Sequence, residues 1–299
     1  MIANLVRHFV GRKPPQEFSH QELVALFAAM KEANIEAVPV DRFAKLLSRP
    51  AIMMGNRRRA VGLLRFDIHG NIERPLKVAQ DLHALDMHGL FLMMHRHTVN
   101  ESIYARDTTW DSLKMMAEMG HEIGLHFDPF YLIRAHGDLY AGIGAAVDEL
   151  TGRGVTIRAA SVHGDTRSHI KECGLQANDF FMEEFRTTRW NGRPPKGEEF
   201  LAKHVKRYSQ TKIANDHGIR YFAEPNFSDS GGLVSEKMPA YLSDNHRRLR
   251  INNLPGGNSN GGFLDAPERF RIPPEFAQEV VAALRTRPFI ALFHPQWYA

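Results

Sequence analysis

Short apolar runs alternate with amphipathic helical patterns along most of this chain, and that alternation restricts its fold more than any other feature. Residues 60–67, AVGLLRFD, read as a buried strand. Residues 74–85 read as a helix with Pro75 near its first turn. Residues 89–94, GLFLMM, read as a second strand, and 109–119 as a helix capped by Thr108 or Thr109. A strand at 121–126, a helix at 138–151 ended by Gly152 and a strand at 155–162 continue the series. Strands separated by helices of about 10–15 residues build parallel βαβ units. Ahead of the series, residues 20–33 place Leu23, Leu26, Phe27 and Met30 on one helical face. Ser19 is the expected N-cap there, with Glu22 completing a capping box. A strand at 36–40 and a helix from Asp41 follow.

The second half is less regular. Residues 183–217 are polar, carry the turn signal Gly192-Arg193-Pro194-Pro195, and read as an excursion with a helix at about 198–215. Strands are expected at 219–223, 249–254 and 289–293, a surface loop at 255–262, and a helix at 274–285 entered through Pro273 or Pro274. Length over ~150 allows one or two domains, and barrels of ~250 residues are commonly one. The expectation is a single barrel domain over residues 1–299.

Composition removes several function classes. Hydrophobic residues make up 43% and charged residues 24% of 299, which excludes a disordered chain, a collagen and a coiled coil. Cys173 is the single cysteine, so there is no internal disulfide and no thiolate zinc cluster. The net charge of +4, with only the short basic runs at 57–59 and 247–248, is not that of a nucleic-acid arm. The N-terminal apolar stretch is broken by Arg7 and His8, and no run approaches the ~20 residues of a transmembrane segment. A cytoplasmic protein is expected, with no nucleic acid among its partners.

The 16 histidines matter chiefly for where some of them fall. Apolar strands stop at Asp67-Ile68-His69, His126-Phe127-Asp128, His163-Gly164-Asp165 and His294-Pro295. Parallel α/β folds place their chemistry at the carboxyl ends of strands. Residues two apart on a strand share a face, so Asp67 and His69 can enter one pocket, as can His126 with Asp128 and His163 with Asp165. Imidazole and carboxylate are ligands for Zn²⁺, Mn²⁺ or Fe²⁺. His121 begins a strand and reads as structural, His95-Arg96-His97 as a solvated loop, and Met93, Met94, Met115, Met116 and Met119 as packing.

These segments resemble the polysaccharide deacetylases, carbohydrate esterase family 4 with the NodB homology domain. LLRFDIHGN stands where that family has Thr-Phe-Asp-Asp-Gly, GHEIGLHFDPF is similar to Gly-His-Glu-Ile-Gly-Asn-His, SVHGD lies at Arg-x-Pro-Pro, and FIALFHPQWY resembles the late Leu-x-His motif. The resemblance runs from about residue 20 to the C-terminus. It implies a distorted (β/α)7 barrel, an α/β fold. It also implies Asp67 as catalytic base, His294 as catalytic acid and His126 as a metal ligand. Ile68 and Phe130 stand where the family has its other two ligands. Spacing suggests a rebuilt set of His69, His126 and either His163 or Asp128, with His163 preferred.

Asp128, Asp165, Asp229 and Trp297 are then the expected substrate-binding residues; a glycine turn at Asp229 and a packed C-terminal anchor at Trp297 are equally open. The resemblance implies a divalent metal, zinc first, with manganese, iron, cobalt or nickel as alternatives. The implied reaction is hydrolysis of the C–N bond of an N-acetyl or other N-acyl amino sugar. The carbohydrate substrate would be a nucleotide- or lipid-linked precursor in surface polysaccharide or lipopolysaccharide biosynthesis. The alternatives are a catalytically inactive sugar-binding protein of the same fold and a metal-dependent amidase on a non-sugar substrate.

Overall fold

The computed structural model describes residues 17–47, 60–95, 106–163, 208–222, 239–244, 247–254 and 262–299. In chain order the elements are α1 (His20–Glu32), β1 (Glu36–Ala37), α2 (Val40–Leu47), β2 (Val61–Ile68), α3 (Glu73–Ala84), β3 (Leu90–Met94), α4 (Asp107–Glu118) and β4 (Glu122–Phe127). There follow α5 (Pro129–His136), α6 (Leu139–Gly152), β5 (Ile157–Val162), α7 (Gln210–His217), β6 (Tyr221–Phe222), β7 (Ala240–Ser243), β8 (Arg250–Leu254) and β9 (Gly262–Asp265). The last elements are α8 (Pro274–Leu284), β10 (Phe289–Phe293) and a 3₁₀ turn, Pro295–Trp297. The ten strands among the described residues join one sheet, ordered β6-β5-β4-β3-β2-β10-β7-β8-β9, with β1 beside β2. From β6 to β7 the neighbours run parallel, seven strands in all, and β8 and β9 add an antiparallel edge.

The sheet is curled. Three strand intervals of ~4.8 Å would put the ends of β2 and β5 about 14 Å apart in a flat sheet. His69, just past β2, and His163, just past β5, have ring centroids 4.9 Å apart. Interior residues of non-neighbouring strands also pack together: Leu63, Leu90, Leu92, Ala159 and Ile290 form one buried cluster. Val40, Phe43 and Leu46 of α2 and the preceding Val38 belong to the same cluster, so α2 plugs the end where the strands begin. This is the expected (β/α) barrel architecture; among the described residues no ladder joins β6 to β7.

Strand period two sorts the two layers. Leu64, Phe66 and Ile68 of β2 face the helices, and Phe66 stacks between Phe91 and Phe293 at 4.7 and 5.7 Å while Phe27 of α1 meets it edge-on. Leu63 faces the plugged interior, which places Arg65 and Asp67 above it on the same side. The interior is thus apolar where the strands start and charged where they end.

Several local expectations are revised. Ser19 accepts the backbone N–H of Glu22, as a cap should, but the Glu22 carboxylate accepts from Arg271 Nε and Ile272 N instead of closing a capping box. Arg106 occupies the N-cap of α4, so neither Thr108 nor Thr109 caps it. Residues 129–136 form a helix that the alternation does not reveal, because its apolar residues continue those of β4. Of the excursion at 183–217, residues 208–217 are described, and they hold α7. Met115 is exposed, on the outer face of α4, and is not packing.

Gly124 lies in β4 two residues before His126. A Cβ there would stand 2.4 Å from Leu92 Cδ2 and 2.7 Å from the Ala159 carbonyl oxygen. The carbonyl belongs to the neighbouring strand and cannot rotate away. Gly124→Ala should destabilise the fold by about 1–3 kcal/mol, as overpacking does, read as a lower denaturant midpoint at unchanged slope.

Candidate functional site

At the carboxyl end of the barrel, β2 delivers Asp67 and then His69, β4 delivers His126, β5 is followed by His163, and β10 by His294. The His69 ring is stacked on His126 at 5.0 Å, lies edge-to-face with His163 at 4.9 Å, and is tilted to His294 at 5.2 Å. Asp67, His126 and His294 are buried, and His69 and His163 are half-buried at the mouth. Five of the seven residues selected from strand ends, Asp67, His69, His126, His163 and His294, therefore lie together.

Arg65 and Asp67 form the floor. Arg65 Nε donates to Asp67 Oδ1 at 2.7 Å and Nη2 to Oδ2 at 2.8 Å, with each residue 2% exposed. Burial would raise the carboxyl pKa, but the guanidinium beside it, with help from His126 and His294, holds it far below the usual carboxylate range. Asp67 is therefore ionised at any working pH. Arg65 was missed in the sequence. Its signal was there, since an arginine in an otherwise apolar strand must be paired, and Asp67 is the i+2 residue on its own face.

His126 adds an acceptor to the floor. Its Nδ1 donates to the Ser161 carbonyl at 3.2 Å, which leaves the Nε2 lone pair 3.4 Å from Asp67 Oδ2. Burial pushes the His126 pKa down to about 3, so the ring is neutral. A lone pair facing a carboxylate inside the barrel is a site that wants a cation or a proton.

Opposite lies a dyad. Asp244, just past β7, is fully buried; its Oδ1 accepts from His294 Nδ1 at 2.6 Å and its Oδ2 from the His294 backbone N–H at 2.7 Å. Burial works to lower the His294 pKa, but the Asp244 charge and hydrogen bond outweigh it and raise it above 6.5. Trp297 lies flat on the His294 ring at 4.0 Å. Asp244 was also missed, because it follows a short strand, β7, that was not expected.

The remaining expectations divide. Trp297 is at the pocket, on His294. Asp128 is the N-cap of α5, its Oδ1 accepting from Phe130 N and Tyr131 N, so that oxygen is committed to the helix. Asp165 and Asp229 lie outside the described residues. His95 is buried and bonded to Glu149 Oε2 at 3.2 Å, which corrects its reading as a solvated loop. His121 is structural as expected: its Nε2 donates to the Ala79 carbonyl, and its Nδ1 accepts from Gly89 N.

Two groups of donors are close enough to hold one metal ion, with ligand atoms within 4.8 Å: His69 with His126 and His163, and Asp67 with His69 and His294. The first group fits a metal better. Asp67 is already held by Arg65 and His294 by Asp244. His69 Nε2 is buried and has no hydrogen-bond partner among the described residues, and the His126 lone pair points inward. Ile68 and Phe130, at the two departures from the family pattern, are buried in the helix-facing layer and offer nothing to an ion.

No protein-family model and no curated protein sequence matches the chain. Among solved structures it is similar to the catalytic domain of a peptidoglycan N-acetylglucosamine deacetylase from Eubacterium rectale ATCC 33656, at 11% identity and a TM-score of 0.38, covering 81% of this chain and 80% of that one. It is also similar to a mutant of a CE4 family pseudoenzyme with restored enzymatic activity, at 13% identity and a TM-score of 0.36. That alignment covers 81% of this chain and 59% of the other, less than two thirds of its length.

The dyad makes a sharp expectation. Asp244→Asn removes the charge that opposes burial, so the His294 pKa should fall below about 6.5, read by NMR titration of the ring. A group raised on folding stabilises fully below its unfolded pKa and loses that contribution as pH rises through the folded one. The wild-type stability should therefore decline above pH ~6.5 by more than that of the Asp244→Asn variant.

Proposed function

We propose that this chain is a divergent polysaccharide deacetylase that hydrolyses an N-acyl group from an amino sugar with the help of a divalent metal. The observation that carries the reading is the opposition, across one pocket, of an ionised carboxylate locked by Arg65 and an imidazole kept protonatable by Asp244. Amide hydrolysis needs both: a base for water on one side and an acid for the departing amine on the other.

His69, His126 and His163 would hold the cation. A cation there would supply polarisation that makes a water acidic near neutral pH. Asp67 takes the water proton as the oxygen attacks the acyl carbon. His294, protonated at its ring nitrogen remote from Asp244, gives that proton to the amine nitrogen as the C–N bond breaks. Asp244 holds the His294 ring in place and favours the charged form before transfer. Trp297, flat on His294, shapes the wall next to the leaving sugar, and stacking of this kind suits the apolar face of a pyranose.

The histidine-rich donor set favours zinc, cobalt or nickel, because imidazole suits these metals better than it suits magnesium or calcium. The fit of Asp165 and Asp229 to substrate hydroxyls belongs to the same proposal, as do a cytoplasmic site of action and a nucleotide- or lipid-linked sugar. No helix among the described residues is long and apolar enough to cross a membrane.

A second reading, a sugar-binding protein without turnover, is favoured by the two-point hold of Arg65 on Asp67, which weakens the carboxylate as a base. Kinetics separate the two. Under the enzyme reading, Asp67→Asn and His294→Ala each lower deacetylation of an N-acetyl amino sugar by about 10²–10⁴ at retained fold. His126→Ala should abolish stoichiometric metal by elemental analysis. Near-wild-type turnover in either of the first two variants would overturn the assigned roles. Wild-type protein that binds chito-oligosaccharide but never cleaves it would establish the second reading.

The acid role also sets a pH profile. Turnover should fall as pH rises through the elevated His294 pKa, and in Asp244→Asn that basic limb should move to lower pH.

A further inference from the structure

Gln296 is the middle residue of the 3₁₀ turn after β10, and its amide nitrogen meets His69 Nδ1 at 3.3 Å. The turn is fixed from both flanks. Arg74 of α3 donates through Nη1 to the Gln296 carbonyl at 2.6 Å and through Nη2 to Glu17 at 3.1 Å. On the other side Phe18 N donates to the Trp297 carbonyl at 2.8 Å, and Trp297 N to the His294 carbonyl at 2.9 Å. The side chain of Gln296 therefore arrives at His69 from a backbone that has little freedom to move.

Among the described residues, Gln296 Oε1 and His69 Nε2 are buried without a hydrogen-bond partner. The orientation of the Gln296 amide decides what His69 Nε2 can do. With the amide nitrogen donating to Nδ1, the neutral His69 ring must carry its proton on Nε2, and that N–H meets no acceptor. With the amide turned end for end, Oε1 accepts from Nδ1–H, and the Nε2 lone pair is free for a cation held jointly with His126 and His163. The turned form pairs the oxygen with His69 Nδ1–H and frees His69 Nε2 for a metal, while the amide NH₂ takes the position that Oε1 held. A glutamine is near-isosteric for the turn, so it needs no shift of the backbone.

We infer that Gln296 is a positioning residue: it accepts the Nδ1 proton of His69 and thereby presents Nε2 of that ring to the metal. The inference rests on the metal reading above for its consequence, but its tautomer can be tested without metal. His126 is arranged in the same way by another partner, since its Nδ1 donates to the Ser161 carbonyl. Partners of this kind fix ring orientation and tautomer, and their loss commonly costs 10–100-fold in metal affinity.

The test uses the full chain, stripped with chelator, and four proteins: wild type, Gln296→Ala, Gln296→Glu and His69→Ala. Nitrogen NMR of the stripped proteins reads the tautomer, with His69→Ala assigning the signal. Calorimetry with Zn²⁺ or Co²⁺ alone reads affinity, and thermal melting confirms the fold. Wild type should show His69 protonated on Nδ1. Gln296→Ala should lose that preference and bind Zn²⁺ about 10–100-fold more weakly. Gln296→Glu, whose carboxylate can only accept, should keep the tautomer and restore wild-type affinity or better. A wild-type His69 protonated on Nε2, or unchanged affinity in Gln296→Ala, would overturn the positioning role. Absence of stoichiometric metal in wild type with the Nδ1–H tautomer present would refute the metal reading and overturn the presentation to metal, leaving Gln296 only as the residue that sets the His69 tautomer.

Discussion

The buried pair of Arg65 and Asp67 is the interaction on which the site is built. Both lie on one strand, two residues apart, with their charges inside the barrel and their backbone in the sheet centre. A guanidinium alone there would be prohibitive, and so would a carboxylate; removing one partner of such a pair typically costs about 3–5 kcal/mol. The two-point geometry holds Asp67 in a single orientation and keeps it ionised. That fixed negative charge adds to the pull of Asp244 in raising His294 and lies 3.4 Å from His126 Nε2.

The barrel separates two duties by depth. Where the strands begin, Leu63, Leu90, Leu92, Ala159 and Ile290 are sealed by α2, and the interior excludes water. Where the strands end, inward-facing positions carry Arg65, Asp67, His126 and His294. The switch from apolar to charged takes place within one strand, between Leu63 and Arg65. Helices on the outside, packed on Phe66, Phe91 and Phe293, hold the strands against the repulsion expected of so many polar groups in a small space. The C-terminal turn closes one side of the mouth, pinned to Phe18 and Arg74, and supplies Gln296 and Trp297 as neighbours of the histidines.

Two dyads of opposite sense define what the pocket can do. An arginine lowers one carboxyl group, and a carboxylate raises one imidazole, so the two groups are separated in pKa by their partners and not by exposure. Three further histidine rings lie between them, and His69 and His126 are driven neutral by burial. Neutral imidazoles are the form in which histidine binds a metal.

Much of this was legible in the sequence, because it depends on local pattern. The alternation of apolar runs with helices determined the parallel sheet, and period two along each strand determined that Asp67 and His69 face one way. Strand ends located the pocket at Asp67, His126, His163 and His294. What the sequence could not determine is which groups meet across the barrel. Asp244 and His294 are 50 positions apart, and Gln296 and His69 are 227 apart, so no spacing rule links them. The role of Asp128 was decided by a helix whose apolar residues run on from the strand before it. Curling of the sheet made these decisions, because closure brings strand ends together that the chain order leaves far apart.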